Sequence, residues 1–316
     1  MVVVGGGSAG LQAALMLGRA RRTVTVVDGG RPRNAAASAV HNLLGHEGIA
    51  PDALLARGRA DALRYGVEIV PGSVVDVRRH DPHWLVRTED GARWHARALL
   101  LATGIVEDLP AIDGLASRWG RDVVACPYCH GWEARDKAVA VVGSGPRAWQ
   151  HLLLLLRFTP DLALISNGPA GLDEARLEYL RRAGVVIREN PVARVEVDGD
   201  RLTAVRLVTG ETLPREALFV VTARRQPSDL AARLGCPVLS EGPMAGAIDA
   251  DATGRTSVPN VWAAGSSVNP GLTVIGAAGH ASAVAIAINN ALIDEDVARE
   301  IAGWNAGQDV VGRPMG

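Results

Sequence analysis

Short uninterrupted apolar runs, each closed by glycine or an acid, punctuate the chain. Val2-Val3-Val4 is the first, and a run of this kind reads as a strand buried on both faces of a parallel sheet. Leu11, Ala14, Leu15 and Leu17 then recur at helical spacing, and Val24, Val26 and Val27 form a second strand ending at Asp28. Residues 52–64 read as a helix. Residues 67–70, 73–77, 84–87 and 93–96 read as short strands joined by turns, and 98–102 as another buried strand. At Val139 the opening pattern restarts: strand 139–142, helix to about 158, strand 162–165. A helix over 172–183 follows, then strands across 185–220, a strand over 258–265 and a small-residue helix over 280–292. Strand–helix–strand units that occur twice predict an α/β chain with two dinucleotide-type domains.

Glycines occupy the turn of each repeat. Gly5-Gly6-Gly7-Ser8-Ala9-Gly10 fits G-x-G-x-x-G through Gly5, Gly7 and Gly10, and Asp28 lies 18 residues past Gly10. Glycine lets the backbone approach a pyrophosphate, a helix N-terminus offers unpaired N–H groups, and an acid at that distance can hold a ribose hydroxyl. The second turn, Gly143-Ser144-Gly145-Pro146-Arg147-Ala148, leads to a strand followed by Ser166-Asn167-Gly168. That strand supplies neither the acid that NAD needs nor the base that a 2′-phosphate needs. NADPH is therefore a doubtful ligand of this domain, unless a residue such as Arg224 or Arg225 provides the missing contact. Residues 29–50 have no periodicity. They form either a loop that wraps the nucleotide or an ordinary solvated crossover.

Composition narrows the class. Apolar residues make up 48% and charged residues 21% of 316, and Lys plus Arg (33) nearly balances Asp plus Glu (34), so no basic nucleic-acid surface is implied. Runs such as 152–156 are too short to span a bilayer, and no signal segment is visible, so a cytoplasmic enzyme without a membrane partner is the default expectation. The three cysteines are Cys126, Cys129 and Cys236. An odd count excludes a closed disulfide framework, and no second pair completes a zinc site, so Cys126-Pro127-Tyr128-Cys129 reads as redox chemistry without a metal. Cys236 reads as a small buried hydrophobe.

Taken in order, Gly5 to Gly10, Ala102-Thr103-Gly104, Cys126 to Cys129, Gly143 to Ala148, and Asn260-Val261-Trp262-Ala263-Ala264-Gly265 resemble the low-molecular-weight thioredoxin reductases over nearly the whole chain. The resemblance implies two Rossmann-like, three-layer ββα domains: FAD-binding segments 1–108 and 245–316, with an inserted NAD(P)-type domain over 109–244. It further implies FAD contacts from Gly5, Gly7, Ser8, Ala9, Gly10, Asp28, Gly29, Arg33, His41, Asn42, Val75, Ala102, Thr103, Gly104, Gly265, Ser266 and Ala278. Ser266 departs from the family, which has Asp there; a hydroxyl is a weaker partner for the ribityl chain. Cys126-Pro127-Tyr128-Cys129-His130-Gly131-Trp132-Glu133, with the featureless 166–168 segment, is more similar to the FAD-dependent dithiol oxidases of gliotoxin- and holomycin-type natural products. Their likeness implies a small-molecule dithiol as partner and oxygen as acceptor, with a thioredoxin-like protein the alternative partner, and a homodimer. A non-catalytic flavin sensor is a further alternative.

A C-x-x-C at a helix start can hold a thiolate, because local N–H groups stabilise it. By resemblance, Cys126 is the exchange thiol and Cys129 faces the flavin. His130 can take a thiol proton and return it near neutral pH. Glu133 either orients that imidazole or caps a helix. Tyr128 and Trp132 could line a substrate groove, with core packing the expected role of Trp132.

Overall fold

A computed structural model describes residues 1–305. It divides into two compact units. The first comprises Met1–Arg33, Asp52–Val106 and, of the described residues, 224–305; the second comprises Asn34–Pro51 and Glu107–Ala223.

The first unit is built on a five-stranded parallel sheet, in the order Val261–Ala263, Leu99–Leu101, Val2–Val4, Thr25–Asp28, Glu68–Pro71. Successive strand side chains point to opposite faces, and the core follows that alternation. Val3, Val26, Leu100 and Trp262 face the helix side, where Ser8–Arg19 and Val274–Asn305 pack through Ala13, Ala14, Leu17, Ala281, Val284 and Ile288. Val2, Val4, Leu99 and Leu101 face the other way, onto Trp84, Val86 and Ala96 of the antiparallel strands Val74–His80, His83–Thr88 and Arg93–Ala96. Helix, parallel sheet and antiparallel sheet make three layers.

The second unit repeats the plan. Its parallel sheet runs Val186–Arg188, Leu162–Ile165, Val139–Val142, Ala217–Val220, Val123–Val124. Val139, Val141, Leu162, Leu164 and Phe219 meet Leu152 and Leu155 of the helix Gly145–Leu155. Ala140, Val142, Ile165 and Val220 meet Val205, Leu207 and Leu213 of an antiparallel sheet made of Val192–Asp198, Arg201–Leu207 and Thr212–Pro214. The α/β fold expected from the repeat, with the two ββα Rossmann-like domains that the resemblance implies, is the fold observed.

The structure differs from three expectations. The compact units depart at two places from the bounds 1–108, 109–244 and 245–316. Residues 34–51 join the second unit, where Val40 pairs with Ile49 and Asn42 bonds Tyr128. Residues 224–244 join the first, where Leu230, Ala231 and Cys236 enter the core on the antiparallel side. Residues 306–316 of the expected last segment lie outside the described residues. The last helix spans Val274–Asn305 rather than 280–292. Thr273 starts it by accepting from Gly276 and Ala277, and Gly276 and Gly279 run on within it without breaking it. By length and composition this helix could cross a membrane; its first half is a wall of the first unit's core, with Ala281, Val284, Ala285 and Ile288 at 1% exposure or less. Finally, Trp132 is not core: it is 64% exposed, with the Arg135 guanidinium 4.2 Å over its ring.

Candidate active site

Two groups of residues, one in each unit, carry the chemistry. In the first unit the strand Val2–Val4 delivers the chain into Gly5, whose φ of +107° is a left-handed conformation that favours glycine. A Cβ on Gly5 or on Gly10 would overlap backbone oxygens, of Ala102 and of Gly5 respectively. A Cβ on Gly7 would meet nothing. This glycine caps the helix Ser8–Arg19 with no side-chain partner, so the turn offers backbone N–H groups to an open face. Ser8, Ala9 and Gly10 form the first turn of that helix.

Asp28 ends the second strand and is tied down on three sides. It accepts from the amides of Gly6 (3.3 Å) and Gly30 (3.0 Å) and from Arg59 Nη2 (2.7 Å). Burial alone would raise its pKa, but Arg59 and the two amides outweigh that and hold it below the usual carboxylate range. Beside it a cavity of about 450 Å³ is lined by Asp28, Gly29, Gly30, Gly72, Ser73 and Glu89. Val75 lies on the adjoining strand, and its carbonyl accepts from Arg233. Arg33 Nη1 donates to the Pro270 carbonyl at 2.9 Å. Thr103 Oγ1 meets Gln226 Oε1 at 3.3 Å, and Gly104 has a φ of +69°.

The late glycine turn packs onto the opening one, since a Cβ on Gly265 would run into Ala9. Ser267, not Ser266, braces this turn: its hydroxyl donates toward the carbonyls of Ala264 (2.7 Å) and Leu101 (3.0 Å) and is fully buried. The amide of Gly265 donates to His280 Nδ1 at 3.0 Å, which fixes the imidazole tautomer with its proton on Nε2, and burial lowers the pKa of His280. Ala278 lies on the same helix. Arg59 and His280 are the residues the sequence alone did not mark. Both sit on helices whose period showed only core packing. An open glycine turn, a fixed acid at the second strand and an adjoining cavity fit an adenine dinucleotide.

In the second unit Cys126 and Cys129 form a disulfide with Cα atoms 5.2 Å apart. Pro127 opens the one-turn helix Pro127–His130, where its missing N–H costs nothing, and Cys126 is the N-cap. The amide of Cys129 donates to Cys126 Sγ at 3.2 Å, so a negative charge on Cys126, rather than on Cys129, has a ready partner. His130 follows at the helix end. Burial lowers its pKa first; Glu133 opposes that and His41 adds to it. Its Nδ1 is buried and has no hydrogen-bond partner among the described residues. A neutral imidazole with an open nitrogen can accept a proton.

Residues 40–49 form a closed loop against this helix. Val40 and Ile49 exchange a bridge, Asn42 adopts a φ of +59°, and Asn42 Nδ2 donates to the Tyr128 carbonyl at 2.6 Å. His41 and Asn42, expected as flavin contacts, are thus carried by the second unit. Tyr128, at 74% exposure, and Trp132 stand at the surface around the cysteines. The third cysteine, Cys236, is buried as expected, with its thiol pushed up by burial.

The second glycine turn is closed by the chain itself. Gly145 donates its amide to the carbonyl of Ala170 at 2.9 Å, and Gly171 lies against the Gly145 backbone. Arg147 is turned to the Thr222 carbonyl, Asn167 to the Val192 amide, and Glu189 accepts from the Ala170 amide.

A fold of two such units, one with an open glycine turn and one with a C-x-x-C disulfide, defines a class of flavin- and dithiol-using oxidoreductases. The chain belongs to the pyridine nucleotide-disulphide oxidoreductase family, whose pattern matches residues 1–285. It is 40% identical to HlmI, whose crystal structure superposes with a TM-score of 0.89 over 96% of both chains. It is 27% identical to the thioredoxin reductase sirT of Leptosphaeria maculans, over 94% of this chain and 95% of that one. It is also 28% identical to a thioredoxin reductase of Streptomyces coelicolor, over 94% and 96%. The chain is therefore a thioredoxin reductase-like oxidoreductase, and FAD is the cofactor that the first unit's residues fit.

Proposed function

We propose that the protein oxidises a small-molecule dithiol to a disulfide through Cys126 and Cys129, with FAD as the electron acceptor and oxygen as the final one. The observation that carries this direction is the closed second turn: the Gly145 amide, which a nicotinamide dinucleotide's pyrophosphate would need, is spent on Ala170. Its likeness to HlmI supports the same reading.

Bound FAD supplies the two-electron acceptor that the side chains lack. The protein's own residues handle sulfur and protons. His130 takes the proton of one substrate thiol; the thiolate attacks Cys126 Sγ, the Cys126–Cys129 bond breaks, and Cys129 leaves as thiolate. The second substrate thiol gives its proton to the Cys129 thiolate and attacks the mixed disulfide, and Cys126 leaves, its charge met by the Cys129 amide. Two S–H bonds and one S–S bond break, one S–S bond and one S–H bond form, and the electron pair rests on the protein sulfurs.

A second reading, reduction of a thioredoxin-like disulfide with NADPH or a protein donor, draws on the sirT and Streptomyces coelicolor relatives. Anaerobic mixing separates them. NADPH should leave the flavin spectrum unchanged over minutes, and dithiothreitol should bleach it. Rapid bleaching by NADPH would overturn the oxidase reading.

A further inference from the structure

Dithiol oxidation sheds two protons, and one imidazole holds one. The loop 40–49 brings a second imidazole to the cysteine helix. The rings of His41 and His130 are edge-on with centroids 6.4 Å apart. His41 Nδ1 is 2.6 Å from Glu47 Oε1 and its Nε2 is 3.6 Å from Glu133 Oε1. Glu47 is held for this purpose from a second direction, its other oxygen accepting the Asn42 amide at 2.8 Å. The same Asn42 side chain clamps Tyr128, between the two cysteines.

We propose that His41, braced by Glu47, is a positioning and proton-storing residue for the thiol site, working through His130 rather than touching sulfur. This rests on the dithiol-exchange reading above. The charges support it. Glu47 on the loop, and Glu133 and His130 from the turn after the cysteines, are the titratable groups that face His41. With both imidazoles neutral the four groups carry two negative charges; with both protonated the cluster is neutral. It therefore has room for two protons without building positive charge near the disulfide, where His130 with Glu133 alone has room for one. The side chain of His41 is 21% exposed, which leaves it a route to solvent.

The test uses the FAD-loaded protein. Rapid quenching and alkylation count the protein thiols that dithiothreitol generates, between pH 5 and 8. In the wild type the acid limb of the rate should be steeper than a single protonation allows. In His41→Gln it should become a one-proton limb, with the rate at pH 7.5 reduced about tenfold. Glu47→Gln keeps the imidazole and removes the carboxylate that holds its Nδ1, so its limb should also lose the second proton; it serves if His41→Gln does not fold. A one-proton limb in the wild type, or unchanged limbs in both variants, overturns the role of His41 and leaves the exchange reading standing. A wild type that gains no thiols at any pH overturns both.

Discussion

His130 joins two physical effects that stability and activity report separately. Burial makes the imidazolium expensive, so the folded protein binds its proton less readily than the unfolded chain does. The unfolded state then holds the extra proton between the ordinary imidazole value and the lower folded one. The contribution of His130 to stability is full above about pH 6.5 and is lost as pH falls through that window toward the folded value. Urea midpoints of the wild type should rise from pH 5 to 7, and His130→Gln should flatten that rise. If both proteins show the same pH slope, His130 is not protonated differently on unfolding. The same depression leaves the imidazole neutral at pH 7, the form a base requires. Sequence spacing put His130 beside the cysteines. It could not place His41, because the contact that carries it there, Asn42 to Tyr128, joins residues 86 apart. Trp132 was misjudged for a related reason. Aromatic bulk argues for burial, but a one-turn helix that must present its cysteines also presents the residues next to them.

At the scale of elements, the two glycine turns look alike in sequence and differ in what they face. In the first, Gly10 is packed and Gly7 faces open space, a distinction that the motif does not express. A methyl on Gly10 would overlap the Gly5 carbonyl, while one on Gly7 would enter open space at the helix end. Gly10→Ala should therefore destabilise the apoprotein by about 1–3 kcal/mol through overpacking. Gly7→Ala should leave its unfolding midpoint within error and weaken FAD binding, read by flavin fluorescence. Equal loss of stability in both variants would mean that the turn is a packing device only. The parallel strands were legible because residues buried on both faces leave unbroken apolar runs. The length of the Val274–Asn305 helix was not. Its first two turns contain Gly276 and Gly279, and glycine reads as a breaker until a packed wall is known to hold it.

At the scale of the whole molecule, the first unit was read from two distant segments because each carries its own glycine turn. The membership of 34–51 was hidden because a loop without period announces no partner. The consequence for function is a count of electrons. Under the proposed function the described residues hold two redox centres, the Cys126–Cys129 disulfide and the flavin of the first turn, the Gly145 amide being spent on Ala170. Each of the two centres takes an electron pair, so the oxidised protein should absorb about two equivalents of dithiothreitol per chain before the flavin is fully bleached without oxygen. If oxygen is the final acceptor, as proposed, each further dithiol loses two electrons and two protons and oxygen gains both, so peroxide and disulfide should appear in equal amounts. Cys126→Ser should keep the flavin spectrum and lose turnover by on the order of a thousandfold, because a dithiol then has no disulfide to attack. Bleaching of that variant at the wild-type rate would show electrons reaching the flavin directly, and the cysteine pair would no longer be on the path.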